Sequence, residues 1–96
     1  MNAPYRLELS PAAHRDLKHL PNETQREIVM THLPLIQADP YASSLPLTGA
    51  LRGERSYHFG RKPEYRIIFY LDGQCVIVTI IGTREGVYKR AHRRKT

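Results

Sequence analysis

Apolar and polar positions alternate over Tyr5-Arg6-Leu7-Glu8-Leu9, the period of a strand with one buried face. Ser10-Pro11 reads as a helix start, with a hydroxyl at the N-cap and proline at the first helical position. From Ala12 to Leu20 the spacing turns helical: Ala13, Leu17 and Leu20 form a stripe, and Arg15, Asp16, Lys18 and His19 lie off it. Pro21 ends this helix and Asn22 is placed to cap the next. The second stripe, over residues 23–38, is Ile28, Val29, His32, Leu33 and Ile36. Pro34 sits inside it and is expected to kink or shorten the helix, because proline lacks a backbone donor and crowds the preceding turn. Asp39-Pro40 opens a loop running to about Ala50, with Pro46 and Gly49 as further breakers.

The second half changes period. Asp72-Gly73 between two apolar runs predicts a two-residue hairpin pairing Leu71 with Gln74, Phe69 with Val76, Ile67 with Val78 and Tyr65 with Ile80. That face is almost wholly apolar and should pack on the helices. The other face sets Arg66 across from Thr79 and Tyr70 across from Cys75, so Arg66 points to the side open to a ligand. An earlier strand, about Gly53 to Phe59, precedes Gly60-Arg61-Lys62-Pro63-Glu64. Reading that stretch as a five-residue loop pairs Phe59 with Tyr65 and His58 with Arg66; a one-residue slip would invert every side chain. The five-residue loop buries Tyr57 and Phe59, worth about 2 kcal/mol or more each, and puts Ser56 and His58 beside Arg66. Gly82-Thr83 breaks the last strand, and Lys89 to Lys95 form a short basic segment. The pattern is α+β: N-terminal strand, helical hairpin, three-stranded antiparallel meander and basic C-terminal segment.

Composition narrows the setting. The 96 residues, without repeats or an interior linker, are expected to form a single domain, 1–96. Hydrophobic residues at 41% and charged residues at 25% fit a globular chain and exclude a disordered one. Cys75 is the only cysteine, which excludes an internal disulfide scaffold. No apolar run approaches the roughly 18 residues of a membrane span, and the first residues lack a signal-peptide core, so a cytoplasmic protein without membrane contact is expected. The net charge of +6 is uneven: residues 49–96 hold eleven of the fifteen basic and four of the nine acidic side chains, a net of +7. A polyanion or an acidic protein is the expected partner of that half.

Phosphate-loop, dinucleotide, CxxC and HExxH motifs are absent, and no metal or cofactor is expected. His14 and His19 lie roughly 140° apart around a helix, unsuited to sharing a metal, and read as solvated. His32, on the apolar stripe, reads as a satisfied histidine at the core edge. The remaining constellation is His58, Arg66, Arg84 and Tyr88, with Arg55, Arg61, Lys62, Lys89 and Arg90 nearby as candidate RNA- or phosphate-binding side chains. Metal-independent RNA cleavage needs a base for the 2′-OH proton, cations for the phosphate and an acid for the departing 5′ oxygen. Histidine titrates near neutrality, arginine grips phosphate with paired donors, and tyrosine stacks on a base or orients phosphate.

The combination Ala13-x-x-Asp16-Leu17-x-x-Leu20-Pro21, Leu47-x-Gly49, Glu64-Tyr65-Arg66-Ile67-Ile68-Phe69 and Ile81-Gly82-x-Arg84-x-x-x-Tyr88 resembles the RelE/ParE superfamily of bacterial type II toxins, in its RelE-like mRNA interferase branch. The resemblance implies the RelE-like fold and a ribosome-dependent endoribonuclease that cuts mRNA in the ribosomal A site. It also implies a small acidic antitoxin, encoded alongside, in a hetero-oligomer that binds operator DNA through the antitoxin. On this resemblance Arg66 is the arginine that stabilises the phosphate, Arg84 the one assisting at the scissile phosphate or leaving group, and Tyr88 the substrate-orienting tyrosine. Where the best-known branch carries two lysines, this chain has Ser56 and His58, which makes His58 the proton carrier. Two alternatives within the superfamily stay open: a ParE-like inhibitor of DNA gyrase, and an inactive paralogue that only binds antitoxin.

Overall fold

The computed structural model describes residues 5–95, with side chains to residue 93. Strand β1 (Arg6–Leu9) turns Leu7 and Leu9 inward and leaves Arg6 and Glu8 in solvent. Helix α1 (Pro11–Lys18) starts as its sequence dictates: Pro11 stands in the first turn, and the Ser10 hydroxyl accepts from the Ala13 N–H at 3.0 Å. Ala13 and Leu17 are buried, but so is Asp16, which the helical stripe assigned to solvent. The reason is tertiary and belongs to the site described below.

Helix α2 (Asn22–Glu27) begins at Asn22 itself, so that residue does not cap it; Pro21 precedes it without a side-chain cap, and the Gln25 amide turns back to the Leu20 carbonyl at 2.8 Å. The helical path continues through a π turn (Ile28–His32) into α3 (Leu33–Ala38). Pro34 therefore neither ends nor shortens the helix. The chain widens just upstream, the Leu33 N–H reaching back to the Ile28 carbonyl, and the imino ring fits the first turn of α3. Ile28, Leu33 and Ile36 are buried as expected, whereas Val29 is 49% exposed. His32 is buried and satisfied: Nδ1 lies 2.6 Å from the Tyr57 hydroxyl, Nε2 lies 2.7 Å from Glu27 Oε2, and the ring stacks on Phe59 with centroids 3.9 Å apart.

Residues 39–50, expected as plain loop, contain a two-residue strand, β2 (Leu45–Pro46), and enter a 3-10 turn (Gly49–Leu51). A two-residue edge strand is too short to show a period, and Pro46 is tolerated there because an edge residue can face outward without donating. Strands β3 (Arg55–Phe59), β4 (Tyr65–Asp72) and β5 (Cys75–Thr83) form the expected antiparallel meander. The five-stranded sheet has the order β1-β5-β4-β3-β2, with β1 parallel to β5. The β3–β4 register is the one that a five-residue loop requires, Phe59 opposite Tyr65 and His58 opposite Arg66.

The β4–β5 register differs from expectation. The turn is Gly73-Gln74, with Asp72 opposite Cys75, Leu71 opposite Val76 and Phe69 opposite Val78. A shift of two residues keeps the faces of this half unchanged. A bulge then passes over Thr79, so that Ile68 meets Ile80, Ile67 meets Ile81 and Arg66 meets Gly82. One extra residue moves Ile80 off the hairpin-facing side and brings Ile81 onto it. Strand β5 also runs through Gly82-Thr83 instead of breaking there.

Both faces of the sheet are consequently apolar. The helical hairpin covers Tyr57, Ile67, Phe69, Val76, Val78 and Ile81, joined by Ala13, Leu17, Ile28, Leu33 and Ile36. On the other side helix α4 (Arg84–Lys95), the basic tail, lies over a smaller cluster of Leu51, Ile68, Ile80, Val87 and Ala91, with Tyr88 at its margin. The face expected to be open to ligand is thus half covered. Burial of a side chain such as Ile68 or Val87 is worth about 1.5–3 kcal/mol, enough to dock so polar a helix.

Candidate active site

Where β1 ends, β5 would present an unpaired edge, and the Ser10 main chain and the Asp16 side chain satisfy it. The Ser10 N–H donates to the Val78 carbonyl at 2.9 Å. Asp16 Oδ2 accepts from the Ile81 N–H at 3.1 Å, and its Oδ1 accepts from Arg90 Nη1 at 2.7 Å. Arg90 completes its contacts through Nη2 to the Ile81 carbonyl at 3.0 Å and Nε to the Gly86 carbonyl at 3.2 Å. A side chain at Gly82 would run into the Arg90 guanidinium, which explains glycine at a position inside a strand. This staple of α1, β5 and α4 sets the angle at which α4 crosses the sheet.

The start of α4 is set by the Arg84 N–H, which donates to the Glu64 carbonyl at 3.0 Å. One turn later Tyr88 leans over β4, and Arg66 Nη1 donates to its hydroxyl at 2.5 Å, with the guanidinium carbon 5.3 Å from the ring centroid. Arg66 Nε donates to Glu64 Oε2 at 2.9 Å, and Nη2 stands 2.9 Å from the same oxygen. His58 lies directly across from Arg66 on β3 and is exposed. Its pKa is lowered from the ordinary value, first by partial desolvation against the strand, then by the positive charge of Arg66, with Arg84 adding to it and Glu64 opposing. The imidazole is therefore neutral at pH 7, a proton acceptor surrounded by cations.

The fold brings His58, Arg66, Arg84 and Tyr88 into one cluster. Arg84 is exposed at the rim and lines a cleft of about 400 Å³ with Pro63, Glu64, Thr83 and Glu85. Arg61 and Lys62 are exposed on the adjoining loop, and Lys89 is exposed on α4. Two of the expected phosphate ligands lie elsewhere. Arg55 projects from the other side of β3, where it is held by Ser44 Oγ at 2.7 Å, the Ser44 carbonyl at 3.1 Å and the Tyr41 carbonyl at 3.2 Å. Arg90 is committed to the staple. Ser56, expected beside Arg66 in the open, shares its face but is 1% exposed, on a strand flanked by β2 and β4. A larger cleft of about 450 Å³, between the 3-10 turn and α4, is lined by Leu51, Tyr70, Ile80 and Ala91 among others and carries no such cluster. Among the described residues no group of three or more His, Cys, Asp or Glu side chains could hold a metal ion, and no helix is long and apolar enough to cross a membrane.

No protein-family model matches the chain, and no curated protein matches it. Solved structures do. The toxin–antitoxin complex RelBE2 of Mycobacterium tuberculosis contains a chain 25% identical to this one, with a TM-score of 0.77 over 85% of this chain and 100% of that one. The chain belongs to the RelE-like toxin superfamily. A mutant of the Escherichia coli toxin RelE in its free state shares the fold at a TM-score of 0.71 and 21% identity, over 96% and 98% of the two chains. The E. coli DinJ–YafQ toxin–antitoxin complex does so at 0.64 and 18%, over 90% and 99%. As an RelE-like chain, it has the α+β architecture that its sequence pattern predicts.

Sequence reasoning overlooked two parts of this arrangement. Asp16 and Arg90 are 74 residues apart, and no local period links them. Glu64 stood inside the motif preceding Arg66 without a role; its i, i+2 spacing, which puts side chains on one side of an extended chain, was the available signal.

Proposed function

We propose that this RelE-like chain is a ribosome-dependent endoribonuclease toxin that cleaves mRNA in the A site without a metal. The observation that carries the reading is the cross-strand pair of His58 and Arg66, flanked by Arg84 and Tyr88 from α4. Neutral His58 takes the proton of a ribose 2′-OH, and the 2′ oxygen attacks the adjacent phosphorus. Negative charge then builds on the phosphate oxygens, where Arg66 and Arg84 stabilise it. The bond to the 5′ oxygen breaks and that oxygen takes up a proton from water, leaving a 2′,3′-cyclic phosphate and a 5′-hydroxyl. Tyr88 orients the substrate through its ring while its hydroxyl braces Arg66. Arg61, Lys62 and Lys89 supply sequence-independent attraction to the RNA backbone.

The proposed partner is a small acidic antitoxin that folds over the basic half in the cytoplasm and carries the operator-DNA contacts of the complex. Its support is the net +7 of residues 49–96, and the solution of several similar chains as toxin–antitoxin complexes. A translation extract given purified protein should show mRNA cut at discrete codons, with cyclic-phosphate ends, and His58→Ala should suppress the cuts. Inhibition of gyrase supercoiling without mRNA cleavage would replace this reading with the ParE-like one.

A further inference from the structure

Glu64 meets Arg66 through its side chain and Arg84 through its main chain, and has no part in the steps above. Its carboxylate meets Arg66 at both Nε and Nη2, while the Tyr88 hydroxyl takes one N–H of Nη1. A guanidinium has five N–H groups. At least one on Nη1 and one on Nη2 stay uncommitted to Glu64 or Tyr88, a pair suited to two oxygens of one phosphate. Through its main chain the same residue fixes the first turn of α4, its carbonyl accepting from the Arg84 N–H. Substitution of the side chain leaves that second link intact, so the two contributions can be separated.

Resting on the ribonuclease reading, we infer that Glu64 is a positioning residue whose carboxylate holds the Arg66 guanidinium so that its remaining N–H groups meet the scissile phosphate. An arginine on a free stem has many rotamers to lose when it grips substrate; one already held on two nitrogens has few. The carboxylate also acts on the proton acceptor. The charged groups facing His58 are Arg66 on β4, Arg84 on α4 and Glu64 before β4, and only Glu64 favours the imidazolium. It keeps the imidazole basic enough to hold the 2′-OH proton while the two arginines hold the phosphate.

The test uses the full chain and its Glu64→Ala and Glu64→Gln variants. In translation extracts Glu64→Ala should slow maximal mRNA cleavage by about ten- to a hundredfold, with the ribosome concentration for half-maximal rate unchanged. Glu64→Gln, which keeps an acceptor oxygen, should recover most of the rate. In both variants an NMR titration should place the His58 pKa below that of the wild type, because the one opposing charge is gone. In the free protein the Arg66 Nε proton should be protected from exchange in wild type and lose that protection in Glu64→Ala. A Glu64→Ala variant that cleaves as fast as wild type, or faster, overturns the inference; faster cleavage would mean that the carboxylate merely occupies the phosphate site. Unchanged His58 titration, or an unprotected Nε proton in wild type, overturns it as well. Wild-type protein that cuts no mRNA removes the ribonuclease reading instead, and the Nε exchange then still decides whether Glu64 anchors Arg66.

Discussion

Two arginine–carboxylate pairs stand on the α4 end of the sheet, and they are built to opposite ends. Arg90 has all three nitrogens engaged: one by Asp16, whose side chain is 7% exposed, and two by backbone carbonyls of β5 and α4. Arg66 is held by two side chains, the Tyr88 hydroxyl and a Glu64 carboxylate that is 34% exposed, and they leave part of its guanidinium uncommitted. Arg66 is the less exposed arginine of the two, at 14% against 28%. Exposure of the cation therefore does not separate structure from chemistry here. What separates them is whether the acceptors are backbone and buried carboxylate that engage all three nitrogens, or side chains beside a cleft that leave donors over.

Exchanging the two arginines for alanine tests this contrast most directly. Arg66→Ala should reduce mRNA cleavage by about 10²–10³-fold, the loss of a charge aimed at the transition state, with urea unfolding nearly unchanged. Arg90→Ala should do the reverse to stability, costing about 3 kcal/mol because the buried Asp16 carboxylate loses its counter-charge. Equal loss of folding stability in both variants would erase the distinction. Gly82→Ala attacks the staple without touching a charge; forcing a methyl group against Arg90 should cost about 1–3 kcal/mol in the same urea experiment. Tyr88→Phe removes one acceptor of Arg66 and should slow cleavage by about tenfold, given roughly 1.5 kcal/mol for a hydrogen bond to a charged group.

The pH dependence should be the smallest effect near neutrality. The acid limb of the cleavage rate should have its midpoint below the ordinary histidine value of 6.5, since His58 is lowered. Arg84→Ala should move that midpoint upward, toward 6.5. For folding, the native pKa lies below the unfolded one, so the unfolded chain binds more protons between them. The contribution of His58 to stability is thus present above pH 6.5 and declines as pH falls through 6.5 toward the native value. Unfolding of His58→Ala in urea across that window should lack this component.

Legibility followed the range of the interaction concerned. Ser10 and Pro11 announced the start of α1 because capping acts within one turn, and the alternation from Tyr5 to Leu9 announced a strand because its period is local. The pairing of His58 with Arg66 was readable from loop parity together with the need to bury Tyr57. The β4–β5 register was not, since Asp-Gly marks a turn without dictating which two residues occupy its corner, and the bulge at Thr79 has no period of its own. Val29 fell outside the core because the π turn changes the angular advance of the helix just where the stripe was being counted. Arg55 and Arg90 looked like free cations, as a count of charges sees sign and not the acceptors that claim it.

The chain by itself determined its longer elements, the identity of its chemical groups and the faces on which Tyr57 and His58 lie, because propensity, capping and alternation are properties of neighbouring residues. Tertiary structure alone decided that β1 runs parallel to β5, that Asp16 closes the edge where β1 stops, and that α4 folds back over the meander's second face. It also decided which arginines are claimed by backbone acceptors, Arg55 and Arg90 among them. Those outcomes depend on contacts between residues as much as 74 positions apart, and the free energy of such a contact exists only once the chain has closed the loop between them.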